Sequence, residues 1–130
     1  MIKIGELEFY TTWMKDLNGH IVRVNGPSLG NNKKKMIVAF VPKEELAMLL
    51  GELCSFADDK TELCLSHQIN DQFNTEIEIT RYPESVSVSN RIYRVLIKSC
   101  QLVIRTDITQ DQLEKLIANM KVVVHSKNID

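Results

Sequence analysis

The feature that most restricts the possible folds of this chain lies between Met36 and Asp59. There an unbroken apolar segment is followed at once by an amphipathic helix. Every residue from 36 to 41 is apolar, which is typical of a strand covered on both faces, so we place it centrally in a sheet. Pro42 then suits the first position of a helix, where its missing N–H costs nothing. At helical spacing one side of this helix is apolar, which predicts its core face: Leu46, Leu49, Leu50, Leu53, Phe56 and Ala57.

Most of the remaining chain alternates apolar and polar residues with the two-residue period of strands. Asn18-Gly19 is a strong signal for a tight hairpin turn. Gly5 interrupts the alternation of the first strand and predicts a bulge or bend there. Val86 and Val88 extend an alternation that begins before Pro83. Strands are predicted over residues 2–9, 20–24, 61–68, 75–82, 92–98 and 102–105.

A second helix is signalled by its N-terminus. Thr109 is an N-cap and Gln112, three residues later, completes a capping box. Ile108 and Leu113 occupy the two positions of a hydrophobic staple. The β-branched run 122–124 favours an added strand after this helix. The predicted inner face of the helix is Leu113, Leu116, Ile117 and Met120.

These elements predict an α+β fold in one domain spanning residues 1–130. Consecutive strands joined by short turns pair antiparallel. We therefore expect one mostly antiparallel sheet of six to seven strands, with both helices packed on one face. Residues 26–35 contain two glycines and end in three lysines, which predicts an exposed loop. Residues 126–130 are expected to form a frayed polar tail.

Several features favour a cytoplasmic protein without a membrane segment. No apolar run approaches the roughly 18 residues needed to span a bilayer, and MIKIGELEFY has no features of a signal peptide. Cys54, Cys64 and Cys100 are odd in number and set among apolar neighbours, so we expect free, buried thiols.

The sequence contains no motif that ties it to a reaction, which favours a non-enzyme. The patterns GxSxG, HExxH and Walker A do not occur. His20, His67 and His125 have no ligand spacing. Cys64 and His67 form a CxxH pair, but a strand places them on opposite faces. No metal and no cofactor are therefore expected.

Charge is distributed unevenly along the chain. By counts of Lys/Arg against Asp/Glu, residues 1–42 hold six and three, residues 43–84 three and ten, and residues 85–130 seven and four. The acidic middle third either pairs with the basic thirds inside the fold or forms a face for a basic partner. An isoelectric point near 6.3 and few aromatic residues argue against a nucleic-acid partner.

One surface is not explained by core packing. Glu44, Met48, Glu52 and Ser55 lie on the side of the first helix opposite its apolar stripe. An adaptable Met among acidic and small residues is typical of a contact surface. The favoured hypothesis is therefore a small protein-binding domain of the inhibitor or immunity-protein type, with these four residues contacting a basic protein.

Two alternatives belong to other classes. The first is a small-molecule-binding or enzymatic domain with a pocket between sheet and helices, built from residues such as Trp13, His20, Tyr93 and Cys100. The second is a homo-oligomeric structural subunit, for example a homodimer formed through an exposed sheet edge.

Overall fold

The computed structural model describes residues 1–58, 61–69, 73–83 and 91–126. Within these ranges the chain forms eight strands and two helices, joined in places by turns such as the 3₁₀ turn Lys15–Leu17. Their bounds are β1 (Ile2–Ile4), β2 (Leu7–Met14), β3 (Gly19–Pro27), β4 (Lys34–Pro42), α1 (Lys43–Asp58), β5 (Cys64–Gln68), β6 (Glu76–Arg81), β7 (Ile92–Ser99), β8 (Leu102–Thr109) and α2 (Gln110–His125).

The strands form two antiparallel sheets of four rather than one larger sheet. The N-terminal sheet has the order β1-β2-β3-β4 and the C-terminal sheet the order β5-β6-β7-β8. Each sheet is followed by a helix, so four strands and a helix occur twice. The α+β class, the antiparallel pairing and the two helices are confirmed, but the single sheet of six to seven strands is wrong. The named strands form ladders only with strands on their own side of α1, and an isolated bridge between Ser28 and Ile104 of β8 links the two sheets.

β4 is an edge strand, which corrects its predicted central place. Ile37, Ala39 and Val41 point inward and are buried, whereas Met36 and Val38 are 52% and 43% exposed. An unbroken apolar sequence therefore does not require two covered faces. Pro42 continues β4 opposite Gly19 rather than opening the helix.

The hairpin between β3 and β4 is shorter than the loop predicted over residues 26–35. β3 continues to Pro27, which lies opposite Lys34. Beyond it, the backbone N–H of Leu29 donates to the carbonyl oxygen of Val103 at 2.8 Å. This bond fastens the tip of the N-terminal hairpin to the C-terminal sheet.

The main core is shared by both halves of the chain. It contains Leu49, Leu50, Leu53 and Phe56 of α1, as predicted, together with inward residues of both sheets and of α2. Phe56 meets Tyr93 of β7 in an edge-to-face ring contact at 5.8 Å between centroids. The apolar stripe of α1 thus packs on strands that follow it in the chain.

α2 begins as its sequence predicts and ends differently. The Thr109 hydroxyl accepts from the backbone N–H of Gln112, whose side chain accepts from the Thr109 N–H, so the capping box is confirmed. Residues 122–124, predicted as a strand, form the last helical turn. Val123 and Val124 pack against a second, smaller apolar cluster formed by Val41, Leu46 and Ile69. These tertiary contacts outweigh the strand propensity of the two valines.

Some predictions fall at the limits of the described chain. Val86, Val88 and the tail residues 127–130 lie outside the described residues. Neither described helix has the length and apolar character needed to cross a bilayer.

Candidate functional site

Glu44, Met48, Glu52 and Ser55, here called the outer α1 surface, lie on the side of α1 away from its buried stripe. Met48 is 62% exposed. Glu44 and Ser55 are also exposed, and Glu52 is half-buried. The helix therefore presents one large apolar side chain between two carboxylates, in the arrangement that its sequence spacing predicts.

A shallow groove runs from this surface toward β5. Sequence reasoning missed two of its residues, Glu62 and Leu65, because they belong to the segment after α1. A Cβ added at Gly51 would meet no atom within 4 Å, so the helix side of the groove is open. The groove is lined by Met48, Gly51, Glu52, Ser55, Phe56, Glu62 and Leu65.

Glu52 has a partner within the fold. Its Oε2 lies 2.8 Å from Nδ1 of His67 on β5, and the His67 side chain is only 9% exposed. On the other side of the imidazole, Nε2 lies 3.5 Å from Oε1 of Glu45, beyond a well-formed hydrogen bond. Glu52 thus ties α1 to the C-terminal sheet as well as facing the groove.

The residues suggested for a pocket do not meet at one site. Trp13 and His20 are opposite each other on β2 and β3, with ring centroids 5.0 Å apart. Burial lowers the pKa of His20, because it disfavours the charged imidazolium. Tyr93 is in the core with its hydroxyl donating to Gln110, and Cys100 is exposed in the β7–β8 turn.

A cavity does lie between the sheets and helices, formed by other residues. Its volume is about 300 Å³. The N-terminal sheet contributes Val22 and Ala39, α1 contributes Leu46, and α2 contributes Met120, among others. None of the four residues suggested from sequence lines it. Its lining is drawn from strands and helices that are distant in sequence, so no local pattern could reveal it.

The described residues contain no group of three or more His, Cys, Asp or Glu side chains able to hold a metal ion. Cys64 is exposed and His67 is buried, so β5 does place them on opposite faces. Cys54, Cys64 and Cys100 are all free thiols. Their predicted burial is wrong for Cys64 and Cys100, which are exposed.

Comparison with known proteins adds no functional assignment. No protein-family model matches the chain, and no curated protein matches it significantly. A solved structure described as "Structure of the plant transcriptional regulator PBF-2" is similar with a TM-score of 0.43 and 10% identity, over 95% of this chain and 89% of that chain. A TM-score this low carries no argument, so the expectation against a nucleic-acid partner stays a prediction.

Proposed function

We propose that this chain is a protein-binding domain whose outer α1 surface contacts a basic partner. The observation that carries the proposal is the 62% exposure of Met48 on the helix face that also carries Glu44 and Glu52. Core packing does not need this methionine. Contact with a partner would bury the Met48 side chain and so remove it from water.

The energetics of protein interfaces support this assignment. Burying a Met side chain is worth about 1.5–3 kcal/mol, and a few such anchors supply most of the affinity of an interface. Met is flexible and adapts to the shape of a partner. The open groove beside Met48 and Gly51 gives a partner side chain room to enter.

Charge favours a basic partner. The groove carries Glu52 and Glu62, and Glu44 lies on the same helix face as Met48. Complementary charge speeds encounter and selects among partners more than it raises affinity. An inhibitor or immunity-type protein uses such a surface to occupy the substrate site of an enzyme that binds polyanions.

The test uses the double variant Met48→Arg, Glu44→Lys. It leaves Glu52 unchanged, because Glu52 also binds His67 and its loss would disturb the fold. The matched control is Leu29→Arg, Glu114→Lys, which makes the same kinds of change at exposed positions on the β3–β4 connection and on α2.

Each protein is used to capture partners from a lysate of its native host, and the captured partner is then purified for affinity measurement. We expect the wild type and the control to bind the same partner equally, and the Met48 variant to bind at least tenfold more weakly. Equal affinity of all three proteins would refute the assignment to this surface.

The second candidate, a homodimer, is favoured by β4. This strand is at a sheet edge and carries Met36 and Val38 exposed to solvent. Free edges of this kind pair with other strands unless they are protected. Light scattering should then show a dimer that Val38→Lys converts to a monomer. A wild-type monomer at high protein concentration would eliminate this candidate.

A further inference from the structure

We infer that the cavity of about 300 Å³ between the sheets and helices binds a small, uncharged, largely apolar molecule. The site is distinct from the outer α1 surface. Leu46 and Leu49 of α1 line the cavity, whereas Met48 of the same helix is exposed on the groove outside. The proposal is therefore independent of the protein-binding function.

The walls of the cavity are apolar on several sides. Val22 and Ala39 of the N-terminal sheet, Ile77 of the C-terminal sheet and Met120 of α2 all contribute. For comparison, an enclosed apolar cavity of about 150 Å³ binds benzene. Twice that volume accommodates roughly ten to twelve non-hydrogen atoms by the same comparison.

The volume of the cavity, which is partly open to solvent, suits a small molecule and is far too small to enclose a macromolecule. It lies within the fold, with lining residues from both sheets and both helices. Two of its lining residues are strongly exposed, Met1 at 73% and Val122 at 68%. We place the opening there, between the start of the chain and the last turn of α2.

The polar groups of the lining define the chemical class. Glu76 is the only charged side chain among the described lining residues. Its Oε1 lies 3.5 Å from Nζ of Lys98, and its Oε2 accepts from the Ser66 hydroxyl at 3.2 Å. These contacts lie on the face of β6 opposite Ile77, so no charged side chain points into the cavity from this strand. A charged ligand would lose its hydration there without an opposite charge to compensate.

Asn119 offers a place for one polar ligand group. Its side-chain nitrogen donates to the carbonyl oxygen of Lys115 at 2.8 Å. Its amide oxygen makes no hydrogen bond to another described residue and can accept one from a ligand. The structure thus fits an aromatic or aliphatic molecule that carries at most a hydroxyl or another neutral donor.

The experiment uses 1-naphthol as a neutral probe and naphthalene-1-carboxylate as a charged probe with the same rings. Binding is followed by calorimetry and by the rise in Tm. We expect saturable 1:1 binding of 1-naphthol and at least tenfold weaker binding of the carboxylate. Failure of 1-naphthol to bind at millimolar concentration would overturn the proposal, and equal binding of both probes would overturn the neutral class.

Two matched variants locate the binding. Ala39→Leu adds bulk to the cavity wall, whereas Ala47→Leu adds the same bulk on the exposed side of α1. The first should lower 1-naphthol affinity at least tenfold and the second should leave it unchanged. If Ala39→Leu fails to fold, Val123→Phe fills the same cavity from α2. Unchanged affinity in the folded cavity variant would show that the probe binds elsewhere.

Discussion

Glu52 of α1 and His67 of β5 are joined across the contact between helix and sheet, with 2.8 Å between Oε2 and Nδ1. The sequence places Glu52 on the polar side of α1 and predicts a role in partner binding. The structure shows that the same carboxylate also anchors the helix. A substitution of Glu52 would therefore change both stability and the proposed partner binding, whereas a substitution of the exposed Glu44 would change only the latter.

Replacing Glu52 should therefore destabilise the fold. We expect Glu52→Ala to lower the free energy of unfolding by about 1 kcal/mol, because a half-buried, charge-assisted hydrogen bond is lost. Glu44→Ala, on the same helix face, should stay within about 0.5 kcal/mol of the wild type. Urea unfolding monitored by circular dichroism measures both. Equal stability of the two variants would contradict an anchoring role for Glu52.

Burial of His20 should make the fold less stable in mild acid. Because its pKa in the folded state is lowered from 6.5, the unfolded chain takes up a proton first as the pH falls. Well above pH 6.5, His20 is neutral in both states and the free energy of unfolding does not depend on its titration. As the pH falls below 6.5, the free energy of unfolding decreases, and this decrease ends below the pKa of His20 in the folded state. Urea unfolding between pH 7.5 and 5.5 should show a weaker pH dependence for His20→Phe. Parallel curves for the two proteins would argue against His20 as the cause.

Replacement by alanine should destabilise the fold at Gly5 and stabilise it at Gly51. Gly5 has φ +58° in the β1–β2 turn, and an added Cβ would lie 2.6 Å from Oγ1 of Thr106. Gly5→Ala should therefore cost about 2 kcal/mol from backbone strain and crowding. Gly51 is helical and an added Cβ there has free space, so Gly51→Ala should raise the free energy of unfolding by about 0.5–1 kcal/mol. Tm shifts of the same sign would refute this contrast.

The capping box makes α2 sensitive to a single hydroxyl. Thr109→Ala removes the acceptor for the Gln112 N–H and should cost about 1 kcal/mol of stability. Thr109→Ser keeps the hydroxyl and should retain most of that stability. Thermal unfolding of the two variants gives the difference. A serine variant as unstable as the alanine variant would assign the effect to the lost methyl group instead.

The parts of the fold that sequence predicts well are those decided locally. The start of α2 depends on Thr109 and Gln112, which are three residues apart. The buried stripe of α1 depends only on helical spacing, and Leu46 and Leu53 both lie where that spacing places them. The outer α1 surface follows from the same periodicity, so its exposure was predictable although its binding role remains a prediction.

The parts that sequence reasoning missed depend on contacts between distant segments. Nothing in residues 36–41 shows that the next strand, β5, pairs with β6 and leaves β4, with Val38, at the edge of its sheet. Residues 122–124 become helical because Val41 and its neighbours, some eighty positions earlier, supply an apolar surface. The cavity and the Glu52–His67 contact likewise require knowledge of which elements meet.

The shared core also decides which pieces of the chain can exist alone. Leu53 and Ile104, both fully buried, come from opposite halves of the sequence and belong to one apolar cluster. A fragment of residues 1–58 would expose the apolar stripe of α1 to solvent. A fragment of residues 61–126 would expose the apolar side chains that this stripe covers in the whole chain. Separately produced, the two fragments should be unfolded or aggregate, and when mixed they should recover structure by complementation.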